Sequence, residues 1–382
     1  MFDGYDLTRE REFVVRLARV DDDAENDSRV QELLKAPLDW NWIVVTATRH
    51  KVVQLLWHNM TRKSLIGAAL GTGGLPELWT VHLDQMYAAG RERNKLWLAN
   101  AADVSQRLSD VGLRVVALKG GALIGDVYAA DNRFLNDIDF LAKRADADKV
   151  KERMFEIGYR YGSYNYATGQ IDGIDRRVER AWLFNNHVMP NFYRLSGSPW
   201  VPYYKIQIGF DFFDPFEEFG ISGEAVVDDA VPKPDGSPLL VPTKIDTLIN
   251  LCCHIYREGV SLVYEDYNVN WQLGKFCDVL GFLLKYDAEI SMPDFLRKVA
   301  AEGIQDPVYY GLHYTNEVFR HPVLDRWLAA TAPENLAYLD ELRDGERRFT
   351  ATEPFQERLF SLRRVRAEPR AGWNRQFRRN EW

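Results

Sequence analysis

Apolar residues recur at helical spacing from residue 27 to about residue 109: first Val30, Leu33 and Leu34, then Val52, Val53, Leu56 and Trp57, then Leu96, Leu98, Ala102, Val104 and Leu108. Steps of three and four put such residues on one stripe of a helix, so this stretch predicts a series of amphipathic helices. Gly71-Thr72-Gly73-Gly74 and Pro76 break it with a loop. The last helix of the series ends near Gly112, and there the period changes. Arg114-Val115-Val116-Ala117-Leu118 is a short β-branched run that stops at Gly120-Gly121, residues 122–128 read as a short helix, and Asp137-Ile138-Asp139-Phe140-Leu141-Ala142 alternates as a half-buried strand does. Residues 147–157 predict another helix, and 158–204, mixing aromatics with turns, read as irregular β structure. In 203–213, Lys205, Gln207, Gly209 and Asp211 fall on one face and Ile206, Ile208, Phe210 and Phe212 on the other, the period of a strand with one buried side. A turn-rich connection follows at 232–242. Helical spacing then resumes with Ile245, Leu248, Ile249 and Cys252 and continues near 270–286, 293–302 and 306–319.

This order predicts an α+β protein in four parts: an N-terminal helical region (1–110), a sheet-bearing unit (111–240), a C-terminal helical domain (241–345) and an Arg-rich tail (346–382). A chain of 382 residues has room for two or three packed units, and 46% hydrophobic with 27% charged residues is an ordinary globular balance. With 48 Lys and Arg against 56 Asp and Glu, the net charge of −8 argues against bulk electrostatic coating of nucleic acid or anionic membrane. The charge is uneven: residues 351–382 hold eight arginines (358, 363, 364, 366, 370, 375, 378 and 379) against four glutamates, so a tail of +4 sits on a body of −12. Cys252, Cys253 and Cys277, odd in number and without Cys-x-x-Cys spacing, indicate neither a disulfide framework nor a thiolate zinc site. The N-terminus lacks signal-peptide character, and no run approaches the roughly 18–20 apolar residues of a membrane span. The expectation is a cytoplasmic protein with no membrane partner.

Candidate chemistry concentrates at Asp137 and Asp139. Two carboxylates at i and i+2 of a strand project from one face, with Cβ atoms less than about 7 Å apart. Their repulsion, about 1 kcal/mol in water and several times that when partly buried, calls for a metal, a shared proton or basic neighbours. Hard oxygen donors without nearby His or Cys point to Mg²⁺ or Mn²⁺. Asp211, by its face, is the candidate third carboxylate, with Asp214 as the fallback. An isolated Asp-x-Asp is more often a solvated strand edge, but here Leu118-Lys119-Gly120-Gly121 follows an apolar strand and opens a helix, which suits an anion. Gly120, Gly121 and Gly125 match neither a dinucleotide-binding fingerprint nor a Walker A loop.

Leu118-Lys119-Gly120-Gly121-Ala122-Leu123, Tyr128, Arg133 and Asp137-Ile138-Asp139-Phe140-Leu141 resemble the signature of the bacterial uncharacterised nucleotidyltransferase family, a branch of the polymerase-β-like superfamily. The likeness extends over about residues 30–330, through Asp39-Trp40, Arg93-Asn94, His187-Val188-Met189-Pro190 and Leu251-Cys252-Cys253-His254. It implies a small mixed-sheet palm flanked by helical units, with Lys119, Gly120, Gly121 and Arg133 binding nucleotide and Asp137, Asp139 and Asp211 both catalytic and metal-holding. It also implies an NTP substrate, ATP by default, and a small-molecule, peptide or RNA acceptor. Two features stand out. Fifteen residues separate Gly121 from Asp137, slightly more than the usual superfamily interval although this family tends to be long there, and Gly209-Phe210-Asp211-Phe212 departs from the family pattern by standing where it places an acid, an apolar residue and His-Trp. The third carboxylate is thus displaced by two residues or lost, which keeps open a catalytically impaired nucleotide-binding protein beside the active transferase. A tailoring transferase of peptide or natural-product biosynthesis using the same site is a further alternative. Arg133 reads equally as a phosphate clamp or an ion-pair residue, His187 and His254 read first as structural histidines, and the tail reads first as a solvated helix or oligomer arm.

Overall fold

The computed structural model describes residues 7–361, apart from 215–216, 267–268 and 346. The Arg-rich tail from residue 362 on therefore lies outside the described residues. Arg358 lies inside and is buried, with its guanidinium 5.3 Å from the Trp271 ring centroid.

The N-terminal helices include Trp40–Arg49, whose first turn is capped by Asp39 accepting from the Trp42 N–H at 3.0 Å. They end in the 33-residue helix Glu77–Ser109. A further helix, Thr8–Leu17, precedes the region where the pattern predicts helices to begin.

Eight strands form one mixed sheet: β1 (Val115–Ala117), β2 (Ile138–Ala142), β3 (Arg160–Asn165), β4 (Gln170–Gly173), β5 (Phe192–Leu195), β6 (Tyr203–Gly209), β7 (Val231–Pro232) and β8 (Leu240–Val241), in the order β4-β3-β5-β6-β2-β1-β8-β7. The centre matters most for the site. There β2 pairs antiparallel with β1 and parallel with β6, with Asp139 opposite Gln207 and Leu141 opposite Gly209. One face carries Ile138, Phe140, Ile206 and Ile208, all buried in the main core.

Three expectations change here. The segment 158–204 is regular: it holds β3, β4, β5, the start of β6 and a helix, Arg176–Asn185, capped by the Asp175 carboxylate on the Arg177 N–H at 2.6 Å. The short helix after β1 is Lys119–Leu123, so the two glycines lie inside it rather than ahead of it. Finally, β6 ends at Gly209 instead of running to 213. Beyond it the chain bends, and one oxygen of Asp211 accepts from the N–H groups of Phe212, Phe213 and Ile221 at 2.6, 3.2 and 3.1 Å.

The C-terminal helices Lys244–Gly259, Leu273–Tyr286 and Gln305–Phe319 stack around Trp271 and Tyr310, both fully buried. Gly311 lets two of them meet closely: a Cβ there would lie 2.5 Å from the Cys252 Cα. The three cysteines are free and buried. Among the described residues no helix is long and apolar enough to cross a membrane.

Candidate active site

Asp139 stands on β2 facing Gln207 of β6, and Asp137 immediately precedes the strand. Each carboxylate meets a lysine. Lys205 Nζ lies 3.4 Å from Asp137 Oδ2, and Lys119 Nζ lies 3.2 Å from Asp139 Oδ2. Of the three ways to relieve the repulsion of the pair, the folded chain supplies basic neighbours. Burial opposes ionisation of Asp137, but Lys205, Lys51 and Lys119 outweigh it and hold its pKa below the ordinary aspartate value. Burial likewise opposes charge on Lys205, and Asp137 more than offsets this.

Local structure explains how the lysines arrive. β1 delivers Leu118, whose N–H donates to the Asp139 carbonyl at 2.9 Å and ties the Lys-Gly-Gly turn to β2. Lys119 itself has φ 46°, and Lys51, which also lines the cleft, has φ 58°. Left-handed backbone is uncommon for residues bearing a Cβ, and such strain concentrates at functional sites. Gly120 is required because a Cβ there would meet Arg133 Nη1 at 2.4 Å and Leu135 Cδ1 at 2.6 Å. The long helix Glu77–Ser109 secures the loop before Asp137: Asn94 Nδ2 donates to the carbonyls of Ala130 and Arg133 at 2.7 and 2.6 Å, and Arg93 Nη2 donates to that of Leu135 at 3.2 Å.

The cleft in front of the two carboxylates has a volume of about 380 Å³, within the range of small-molecule sites. Six cations line it (Lys51, Lys119, Arg133, Lys205, Arg257 and Lys275) against five acids (Asp137, Asp139, Asp214, Glu258 and Asp278). Arg133 is fully engaged by protein. Its Nε and Nη2 donate to the two oxygens of Asp278 at 2.8 and 2.7 Å. Burial works against its charge, and Asp278 overcomes that to raise its pKa.

His187 sits between two partners. Asp214 accepts from the His187 backbone N–H at 2.9 Å and from Nδ1 at 2.6 Å, while Arg257 Nη1 donates to Nε2 at 2.6 Å. This bonding assigns the neutral Nδ1–H tautomer. Burial and the neighbouring Arg257 push the imidazole pKa down to about 4, whereas Asp214, despite its burial, is held below the ordinary value by its bonds to His187. His254 bonds through Nε2 to Glu258 at 2.9 Å, and Glu258 pairs in turn with Lys275. Burial and Lys119 bring His254 down to about 3, and burial brings Lys275 down to about 8.

Lys119, Gly120, Arg133, Asp137, Asp139, His187, Asp214 and His254 thus share one cleft. Gly121 lies behind it, its N–H donating to the Leu118 carbonyl at 3.1 Å. The third-carboxylate expectation for Asp211 is not matched. Because β6 ends at Gly209, Asp211 is no longer part of the alternating face; it borders a smaller recess with Lys119, Asp139 and Arg257 and spends one oxygen on three backbone N–H groups. Burial raises its pKa. Across from Asp139 stands an amide, Gln207. Among the described residues no three His, Cys, Asp or Glu side chains are grouped to hold a metal ion. Sequence reasoning missed Lys51, Arg257, Glu258, Lys275 and Asp278 altogether, and placed Lys205 on the right face without assigning it a role. Only its alternation with Gln207 gave a local signal.

No curated protein matches the chain, and no solved structure does either. A family model described as uncharacterised nucleotidyltransferase matches residues 36–320, a span that takes in Lys51, the carboxylate strand and the helices bearing Arg257 and Lys275. A match over about three quarters of the sequence, including every wall of the cleft, makes this chain a member of that uncharacterised nucleotidyltransferase family.

Proposed function

We propose that the protein is a Mg²⁺- or Mn²⁺-dependent nucleotidyltransferase that moves a nucleoside monophosphate from an NTP, ATP by default, to an acceptor hydroxyl or phosphate. In this reading residues 111–240 act as a polymerase-β-like palm, with 1–110 and 241–345 as flanking helical units. The observation that carries it is the pair Asp137 and Asp139, each held against a lysine, in a cleft lined by six cations and five acids.

The donor set fits the metal. Mg²⁺ is commonly held by one or two carboxylates, with substrate phosphates and water completing its shell, and two aspartates with no cysteine beside them suit it better than zinc. When bound, the ion would neutralise charge on the phosphates and align the attacking and leaving oxygens. The chain's own groups supply the rest. Asp137 and Asp139 are the oxygen donors. Lys119 and Lys205, now paired with those carboxylates, are placed to turn to phosphate oxygens once the acids are otherwise engaged. Arg257 is oriented by His187 and by the Phe212 carbonyl, to which its Nη1 donates at 3.2 Å. Transfer forms a bond between the acceptor oxygen and the α-phosphorus and breaks the α–β phosphoanhydride; pyrophosphate leaves and the acceptor proton passes to water.

The test is incubation of purified protein with each labelled NTP, Mg²⁺ and candidate acceptors. Label transfer is expected for wild type and its loss for Asp137→Asn and Asp139→Asn; equal transfer by either variant would refute the assignment. A second reading, a nucleotide-binding protein without turnover, is favoured by Gln207 facing Asp139 and by the backbone bonds that hold Asp211. Calorimetric titration with ATP and Mg²⁺ that gave tight binding in the absence of any transfer would select it.

A further inference from the structure

The sheet face that bears Asp139 continues well beyond the cleft. Asp139 lies beside Gln207 of β6, and alternation along β6 places Lys205 and Tyr203 on the same side. Lys205 is opposite Tyr193 of β5, and Tyr193 is opposite Arg160 of β3, which carries the face on to Tyr164. Four tyrosine rings gather at this end. Tyr164 and Tyr203 are 4.5 Å apart between centroids, Tyr193 and Tyr203 5.5 Å, and Tyr164 and Tyr166 5.0 Å.

Tyr166 is the telling member. It follows β3 in the turn toward β4 and is 75% exposed, with its hydroxyl 2.9 Å from that of Tyr203. Stability alone gives no reason for it, because a ring left this far in water removes little apolar surface. Its hydroxyl contact orients the ring without covering it. Arg93 links the group to the cleft. Its guanidinium lies 5.0 Å from the ring centroid of Phe134, a cleft residue, and within electrostatic range of Tyr203 and Tyr166. Among the described residues no carboxylate forms a salt bridge with Arg93. An exposed ring, Tyr166, set on the half-buried rings of Tyr164 and Tyr203 near an arginine without a carboxylate salt bridge among the described residues, on the face that leads to the reaction centre, matches the chemistry of stacked bases joined by phosphates.

We propose that Tyr164, Tyr166, Tyr203 and Arg93 form the acceptor platform, and that the acceptor is a single-stranded nucleic acid whose terminal nucleotides stack there with the terminal hydroxyl leading along β6 toward Asp137 and Asp139. The identity of the acceptor rests on the nucleotidyltransferase reading. The net charge of −8 does not oppose it: two or three stacked nucleotides need only a local cation, and this contact is short.

The test is fluorescence anisotropy with 5′-fluorescein eight-nucleotide RNA and DNA strands. Wild type should bind at least one of the two, more weakly at higher salt. Tyr166→Ala should weaken binding by about 5- to 150-fold, the worth of one stacked base, without moving the thermal melt. Arg93→Gln should flatten the salt dependence, and Asp139→Asn should bind at least as tightly as wild type. Absence of binding to both strands, or unchanged binding in Tyr166→Ala and Arg93→Gln, overturns the platform. So does Tyr166-dependent binding of maltohexaose in place of the strands, which would make the face a glycan site. If the strand binds as expected but Asp139→Asn extends it as well as wild type does, the platform stands and the transferase reading falls.

Discussion

Removing the Asp278 carboxylate would decide what Arg133 does. The guanidinium fork closes on both oxygens of Asp278 at 2.7–2.8 Å, with side-chain exposures of only 18% and 6%. Around it lie Gly120, Leu135 and the ring of Tyr128, 5.8 Å away, and the next counter-charge, Asp137, acts on it more weakly and is already held by Lys205. Two unit charges about 4 Å apart at an effective dielectric near 20 attract by about 4 kcal/mol, and deleting one member of a buried pair typically costs about 3–5 kcal/mol. Asp278→Ala should therefore lower stability by about 3–5 kcal/mol, seen as a lower urea midpoint with an unchanged slope. The double variant Arg133→Met/Asp278→Leu should recover most of that loss, because an apolar replacement of a buried pair is often close to neutral. A cost below about 1 kcal/mol for Asp278→Ala, or a double variant as unstable as the summed single changes, would show that the pair is not a desolvated strut. Arg133 would then be free to act on phosphate.

Gly311→Ala would drive a Cβ to 2.5 Å from the Cys252 Cα, where only backbone can yield; a loss of about 1–3 kcal/mol is expected, and an unchanged thermal midpoint would contradict the close helix contact. Glu217 is lifted by burial from 4.5 to about 7. Between those values the native state binds the extra proton, so stability should fall as pH rises from about 4.5 to 7, by at most about 3 kcal/mol, and stay lower above. Glu217→Gln should remove that slope, and identical pH–stability curves for the two proteins would sink the argument.

The local part of the site was readable from residues alone. Asp137, Asp139 and Lys119 follow from a period-2 strand after a short apolar strand and a glycine pair, and the structure sets them together. Lys205 was placed on its face, but which residue it meets depends on the parallel register of β2 and β6, a pairing between segments about 65 residues apart that alternation does not encode. Arg257, Lys275 and Lys51 belong to helical regions whose stripes report burial and not what the remaining side chains face. The alternation of Phe210 and Phe212 extends the strand pattern to Asp211, whereas the strand ends at Gly209 and Asp211 borders the smaller recess beside Asp139. The mix of aromatics and turns around Arg176–Asn185 reads as β structure, although Asp175 offers the helix cap that the structure uses.

The parallel pairing of β1 with β8 joins Val116 to Leu240, and the cleft draws Lys51 from the N-terminal helical region and Arg257 and Lys275 from the C-terminal one. During synthesis, Lys51, Lys119 and the strand that carries the aspartates emerge well before Arg257 and Lys275. A chain released before Arg257 would hold Lys205 and Lys119 against the two carboxylates but would lack the Arg257, Glu258 and Lys275 lining of the pocket. Loop-closure entropy between such distant segments makes this assembly a late step in folding. Under the proposed transferase reading, fragments ending before Lys275 should therefore bind nucleotide more weakly than the full chain even when the central strands are intact.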